Sequence, residues 1–230
     1  GHNWYLKNTD QGIIGKYKPN HQVIMTGSPS KFNLHNQTNN TKYGMYYISA
    51  DKLREAGVFA GIDMDVIKVT NKNNVEKIWN KAKENGADMT KVMIACSSIM
   101  QANTAAYFLR KLGRKCIVST SQNDKFNKNI NDFKAGEYDV LIVVNRGILG
   151  FNDKGITTIL DLKSSNNVDA SYQLFARALR VHPEDRRKYY FRISTKNYNK
   201  EVIMLHKMVA LMDEYNFKNF NGKNFQVSIN

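Results

Sequence analysis

Three polar side chains, Gln173, Arg177 and Arg180, are spaced four and three residues apart. On a helix they form one narrow polar stripe, because residues at i, i+4 and i+7 share a face. The other side of that helix is apolar and can bury against a sheet; it consists of Leu174, Phe175, Ala178 and Leu179. Guanidinium groups on a firmly seated helix suit phosphate recognition, since their planar forks donate paired hydrogen bonds. On spacing alone, an ordinary solvated basic helix face is the simpler explanation.

The elements that must position these residues alternate regularly from about residue 91 onward. Short apolar runs predict strands at residues 92–96, 116–119, 140–144, 158–162 and 189–193. Between the strands, apolar residues at helical spacing predict amphipathic helices; the two clearest stripes are Ala105, Phe108, Leu109 and Leu112, then Phe126, Ile130 and Phe133. Ser98-x-x-Gln101 is a capping box that begins the first of these helices.

The run at residues 140–144, VLIVV, shows no alternation of apolar and polar residues. Such a run is typical of a strand that is covered on both faces in a parallel sheet. Strand–helix alternation around it predicts the α/β class, with a parallel sheet, right-handed crossovers and flanking helices.

Residues 1–90 are more weakly patterned. A short predicted strand at residues 22–25 ends in Thr26-Gly27-Ser28-Pro29, and the Asn-rich stretch 33–40 predicts a loop. We then expect a helix at 49–56, a strand at 64–69 and a helix with Val75, Ile78, Trp79 and Ala82 on one face. Val202, Leu205, Val209 and Met212 predict a C-terminal helix. We expect residues 1–40 to be the end of one domain and residues 41–230 to form a second domain.

The chain is strongly basic. Its 230 residues include 34 lysines and arginines against 20 aspartates and glutamates, a formal net charge of +14. This excess favours a polyanionic partner, most simply nucleic acid. The sequence contains no run of about 18 apolar residues, so no membrane partner is expected. Cys96 and Cys116 sit in apolar runs and are too few for a disulfide scaffold or a zinc site, which predicts reduced, buried thiols and a cytoplasmic setting.

Four segments in order resemble motifs of superfamily 2 helicases. Gln173-x-x-Ala-Arg-x-x-Arg180 resembles motif VI, and the segment 94–98, IACSS, resembles motif IV. The segment 144–153, VNRGILGFND, is similar to motif V, and Thr26-Gly27-Ser28-Pro29 is similar to motif III. The variant resembles phage and type III restriction-like helicases more than the DEAD-box proteins dedicated to RNA. The resemblance implies a RecA-like second helicase domain, preceded by the tail end of a first RecA-like domain.

The resemblance also implies roles for individual residues. Arg177 and Arg180, with Gln173, would reach the phosphates of ATP bound mainly by another domain, and Gly150, Asn152 and Asp153 would approach the nucleotide. Contacts to the nucleic-acid backbone, DNA more readily than RNA, would come from Ser97, Ser98, Ser119, Thr120, Ser121, Gln122, Asn145 and Arg146. Motif III, residues Thr26, Gly27, Ser28 and Pro29, would couple the two domains. In the full-length enzyme the cofactors would be ATP and Mg²⁺.

Two departures and one absence modify this expectation. Asn152 stands where the family usually has Asp, although an amide can still accept a hydrogen bond from a hydroxyl, and Ala176 replaces the usual Gly. The sequence contains no G-x-x-x-x-G-K-[ST] and no D-E-x-H after a strand. We therefore expect a helicase fragment that begins after motif II and does not hydrolyse ATP alone.

Two other functions remain open at this stage. The first is a non-catalytic nucleic-acid-binding or annealing module, which the missing phosphate-binding loop favours. The second is a small-molecule enzyme of the Rossmann type, but the turn Cys96-Ser97-Ser98 lacks the glycines that such a site needs. Asp161, near the end of its predicted strand, is expected to stabilise the adjacent loop, and the five histidines show no metal-ligand spacing.

Overall fold

The structure is a computed structural model that describes residues 50–124, 127–144, 153–177, 180–184 and 186–210. Residues Ala50–Val209 form a compact unit. Its strands are β1 (Ile62–Lys68), β2 (Val92–Cys96), β3 (Cys116–Ser119), β4 (Val140–Val144), β5 (Thr158–Asp161) and β6 (Lys188–Ser194). Its helices are α1 (Ala50–Glu55), α2 (Val75–Glu84), α3 (Ile99–Lys111), α4 (Lys128–Ala135), α5 (Val168–Phe175) and α6 (Tyr198–Ala210). The predicted domain boundary at residue 40 lies outside the described residues.

The six strands form one sheet in the order β1-β6-β5-β2-β4-β3, and every neighbouring pair is parallel. The register aligns Cys96 with Val144, and Val143 with Ser119, so β2, β4 and β3 end side by side. The predicted parallel α/β sheet with flanking helices is confirmed. All five positions of β2 and of β4 are buried, as expected for central strands with both faces covered.

Successive side chains along β2 lie on opposite faces of the sheet. Val92, Ile94 and Cys96 join one apolar core together with residues of α2 and α3, among them Ile78 and Leu109. The two predicted reduced cysteines are free and buried. Burial raises the pKa of the Cys96 thiol to about 12 and that of Cys116 to about 11, so both stay protonated and unreactive at neutral pH.

Two helices begin directly after a residue whose side chain caps the first turn. Ser98 Oγ accepts the Gln101 N–H at 3.1 Å at the start of α3, and Asn74 Oδ1 accepts the Lys77 N–H at 3.0 Å at the start of α2. Gly136, with φ of +87°, ends α4 in the left-handed conformation that glycine adopts without steric cost. No helix in the described part of the chain is long and apolar enough to cross a membrane.

Two predicted apolar stripes are partly wrong. In α3, Ala105 and Leu109 are buried, but Phe108 and Leu112 are exposed; the buried face also contains Gln101, Ala102 and Ala106. In α6, Met204, Leu205 and Met208 are buried, whereas Val209 is exposed. Each helix has apolar residues on more than one face, and contact with the sheet decides which of them are covered.

Candidate nucleic-acid and nucleotide interface

The parallel sheet has two structurally different edges. We call the end at which the strands finish the carboxyl edge and the opposite end the amino edge. Helices α2, α3, α4, α5 and α6 each follow a strand and therefore begin at the carboxyl edge. Free backbone N–H groups and the positive ends of helix dipoles collect there, which favours anions such as phosphate.

The loop after β2 presents Ser97 and Ser98 at this carboxyl edge, and both residues are exposed. Gln101 orders the loop: its Oε1 accepts the Ser97 N–H at 2.8 Å and the Ser97 hydroxyl at 3.0 Å. The Gln101 amide also contacts Asn73 Oδ1 at 3.5 Å. The capping box thus reaches one residue further back than in its usual form, and it leaves the two serines ordered at the surface.

The loop after β3 divides its four predicted residues into two groups. Ser119 is fully buried and donates to Asp124 Oδ2 at 2.7 Å, and the Thr120 hydroxyl, 3% exposed as a residue, donates to Asn123 Oδ1 at 2.9 Å. These hydroxyls shape the turn and do not face solvent. Of the four predicted residues, only Ser121 and Gln122 are exposed and therefore accessible to a ligand.

The end of β4 lies between the ends of β2 and β3. Val144 is the last described residue before residue 153. The predicted contacts of Asn145, Arg146, Gly150 and Asn152, like those of Thr26, Gly27, Ser28 and Pro29, lie outside the described residues.

Asp153 lies at the amino edge and has a structural role that its sequence did not indicate. Its Oδ1 accepts the Gly155 N–H at 2.8 Å, and its Oδ2 forms an ion pair with Lys91 Nζ at 2.9 Å. Lys91 immediately precedes β2, so the pair closes the turn that leads into β5 against the neighbouring strand. The contact of Asp153 with nucleotide stays a prediction.

The predicted helical stripe of Gln173, Arg177 and Arg180 is wrong in its geometry. Helix α5 ends at Phe175, and Arg177 lies in the turn that follows. Arg180 instead pairs with Phe59 in an isolated antiparallel bridge. A backbone paired in this extended manner cannot continue a helix, so tertiary pairing overrides the local helical pattern.

The two arginines nevertheless lie close together. Burial lowers the pKa of the Arg177 guanidinium, and the positive charge of Arg180 lowers it further. Helix α5 begins at the carboxyl edge and runs back across the sheet, and Phe59 precedes β1, so Arg180 lies toward the amino edge. Of these two neighbouring cations, Arg177 is half-buried and Arg180 is exposed.

Sequence reasoning missed a buried polar network centred on Arg192. This arginine has no exposed surface, and all its donors are used: it binds Glu201, Asp161, the Ser171 hydroxyl and the Ser165 carbonyl. Burial is the largest influence and acts to lower the pKa of Arg192, but Asp161, Tyr190 and Glu201 together outweigh it and hold the pKa above its ordinary value. The signal was present in the sequence, because an arginine within a strand covered on both faces must be paired.

Asp161 confirms its predicted role of stabilising the loop at its strand end. Its Oδ1 accepts the Ser164 N–H at 2.8 Å, and its Oδ2 accepts the Tyr190 hydroxyl at 2.8 Å. Through Ser171, the network also holds α5, the helix that precedes the two arginines. No group of three or more potential metal ligands occurs among the residues that the structure covers.

Comparison with known proteins agrees with this architecture. Residues 72–182 match the model of the helicase conserved C-terminal domain family. The structure of S. cerevisiae Dbp5 L327V bound to RNA and ADP BeF3 is similar, with a TM-score of 0.59 at 12% identity, over 88% of this chain and 54% of that one. S. cerevisiae Dbp5 bound to RNA and ADP BeF3 gives a TM-score of 0.53 at 11% identity, over 77% and 45%. The chain thus spans about half the length of these two proteins. No curated protein matches it in sequence.

Proposed function

We propose that this chain is the C-terminal part of an ATP-dependent nucleic-acid helicase or translocase, because its residues 72–182 match the helicase conserved C-terminal domain family. The family match carries this proposal, because the matched segment includes both the loops of the carboxyl edge and the arginine pair. The complete activity would need a nucleotide-binding domain that supplies the phosphate-binding loop and the acidic residues that hold Mg²⁺.

The arrangement supports two sites at opposite edges of one sheet. At the carboxyl edge, Ser97, Ser98, Ser121 and Gln122 are exposed where parallel sheets place ligands. Such short polar side chains and backbone N–H groups suit phosphates and sugars, which carry no sequence information. Toward the amino edge, Arg177 and Arg180 suit the phosphates of ATP, whose negative charge would offset the repulsion between them. Bound ATP would supply the phosphoryl group whose developing charge these arginines stabilise.

We propose DNA as the substrate on the basis of the sequence resemblance to phage and type III restriction-like helicases. The similar Dbp5 structures are bound to RNA. DNA and RNA strands expose the same phosphodiester linkages, so the test includes both nucleic acids.

The test uses the parent protein that carries this domain together with its nucleotide-binding domain. We expect Arg180→Lys to lower nucleic-acid-stimulated ATP turnover by a factor on the order of 10³, as for the loss of an arginine finger. A point charge cannot replace the planar fork, so lysine should rescue little. Nucleic-acid affinity without nucleotide should hardly change.

Arg187→Lys is the matched control, because Arg187 is exposed and pairs only with Asp63 at the surface among the described residues. It should leave turnover unchanged. If Arg180→Lys abolishes nucleic-acid affinity while turnover at saturating nucleic acid survives, the arginine pair contacts the strand and our assignment is wrong. Stimulation by RNA alone would refute the DNA preference and leave the helicase function intact.

A further inference from the structure

Lys72, in the loop between β1 and α2, is a half-buried cation at the carboxyl edge. The part of the chain that the structure describes gives its ammonium group no hydrogen bond and no ion pair. Burial lowers the pKa of Lys72, and the more distant carboxylates of Glu201 and Asp161 only partly oppose this effect. A half-buried lysine without a partner is energetically unfavourable unless an anion joins it.

The two carboxylates that raise the pKa of Lys72 already have partners. Glu201 Oε2 accepts from Arg192 Nε at 2.8 Å and lies 2.7 Å from Arg192 Nη2. Asp161 Oδ2 accepts from the Tyr190 hydroxyl at 2.8 Å and from Arg192 at 3.3 Å. The network contains one guanidinium group and two carboxylates, so the addition of Lys72 and Lys200 beside it leaves one net positive charge among these five groups.

Hydrogen bonds connect the Lys72 loop to the predicted nucleic-acid loop after β2. Asn73, the next residue in the chain, contacts the Gln101 amide at 3.5 Å, and Gln101 in turn orders Ser97 through two hydrogen bonds. Helices α2 and α3 both begin here, which adds positive potential. The Lys72 ammonium group and the exposed serines thus lie along one stretch of the carboxyl edge.

We propose that Lys72 binds a phosphate of the nucleic-acid backbone and extends the binding surface from the end of β2 to the loop after β1. This inference rests on the proposed function, since it adds a contact to the same edge. The ligand chemistry is a phosphodiester of a single strand, which DNA and RNA share.

The test measures the affinity of the 230-residue chain for labelled oligothymidylate and oligouridylate by fluorescence anisotropy across a salt series. One lost phosphate contact should make the slope of log affinity against log salt shallower by about 0.7 for a single strand. We expect this change for Lys72→Met with both oligonucleotides. Lys72→Arg keeps the charge and should keep the wild-type slope. Added ATP should change the oligonucleotide affinity of wild type and of Lys72→Met to the same extent, because the arginine pair proposed to bind ATP lies toward the other edge.

Lys83→Met is the matched control, since Lys83 is an exposed lysine in the last turn of the same helix α2 and lies toward the amino edge. It removes the same charge without removing the proposed contact. A wild-type slope in Lys72→Met, or an equal change in Lys83→Met, overturns the Lys72 contact and leaves the helicase assignment standing. If the wild-type chain does not bind at low salt, both proposals fail. If Lys72→Met loses its cooperative thermal unfolding, Lys72→Gln takes its place under the same criteria.

Discussion

At the scale of one residue, Lys188 is a buried lysine whose pKa is shifted toward neutral pH by its place in the core. Its side chain is fully buried at the start of β6, and its ammonium group donates to the carbonyl oxygens of Lys154 and Ile156. Burial lowers the pKa of Lys188 to about 8, although Asp153 opposes the shift. The residue holds the turn before β5, next to the ion pair of Asp153 with Lys91.

This pKa predicts a specific pH dependence of stability. The folded pKa of about 8 lies below the ordinary lysine value of 10.5, so between these values the unfolded chain binds more protons. The free energy of unfolding should therefore rise with pH across this window, by at most about 1.4 kcal/mol per pH unit from this group. The neutral amine keeps two N–H donors, which match its two carbonyl acceptors.

The measurement is urea unfolding of wild type and Lys188→Met between neutral pH and pH about 10. In Lys188→Met the free energy of unfolding should rise less with pH than in wild type. In Lys83→Met, which removes an exposed lysine, it should rise as in wild type. Parallel pH profiles for wild type and Lys188→Met would show that the buried amine does not titrate in this range.

At the scale of elements, the Arg192 network joins parts of the fold that are distant in sequence. It connects β6 with the end of β5 through Asp161, with α5 through Ser171 and with α6 through Glu201. The arginine pair follows α5 in the chain, so the network fixes the helix that precedes these cations. Since the interior has a low dielectric, such a network stabilises only while every member is paired.

Removing one member should therefore be costly. We expect Asp161→Ala to lower the free energy of unfolding by about 3–5 kcal/mol, because it leaves part of a buried arginine and the Tyr190 hydroxyl without an acceptor. Asp132→Ala is the comparison, since its partner Lys128 is largely exposed and a surface pair contributes less than about 1 kcal/mol. Equilibrium denaturation of both variants measures the difference; equal losses would mean that the network adds nothing beyond a surface ion pair.

At the scale of the whole molecule, positive charge and sheet topology act together. The formal charge of +14 favours polyanions in general, and the positive ends of helix dipoles lie at the carboxyl edge, where five described helices begin. The arginine pair lies toward the opposite edge. In the function that we propose, one edge would hold a nucleic-acid strand and the other would contact the nucleotide.

The isolated chain should accordingly bind single strands without sequence preference and hydrolyse no ATP. Its log affinity should fall with log salt by about 0.7 per phosphate contact, and its ATP turnover should equal the blank, because its sequence contains no phosphate-binding loop. Turnover that nucleic acid stimulates and Arg180→Ala abolishes would contradict the proposed division of the activity between two domains. Acceleration of strand annealing by the chain without ATP would instead support a non-catalytic annealing module.

The sequence by itself determined the fold class and most of the strands. Apolar runs such as VMIAC and VLIVV coincide with β2 and β4 to the residue, because a strand covered on both faces needs an unbroken apolar segment. The Ser98 cap was equally local, since a capping box is complete within four residues. It was also predictable that the polar residues following successive strands lie at one edge of the sheet, because parallel strands end at the same edge.

Only the tertiary structure decided which of the polar residues are accessible and which are paired. Ser119 is buried against Asp124, Asp153 pairs with Lys91, and the helix before Arg177 ends early because Arg180 pairs with Phe59. The partners of Asp153 and Arg180 lie more than fifty residues away along the chain, so no local pattern encodes them. Burial and pairing are properties of the packed sheet, and they separate a surface lysine such as Lys83 from the half-buried Lys72.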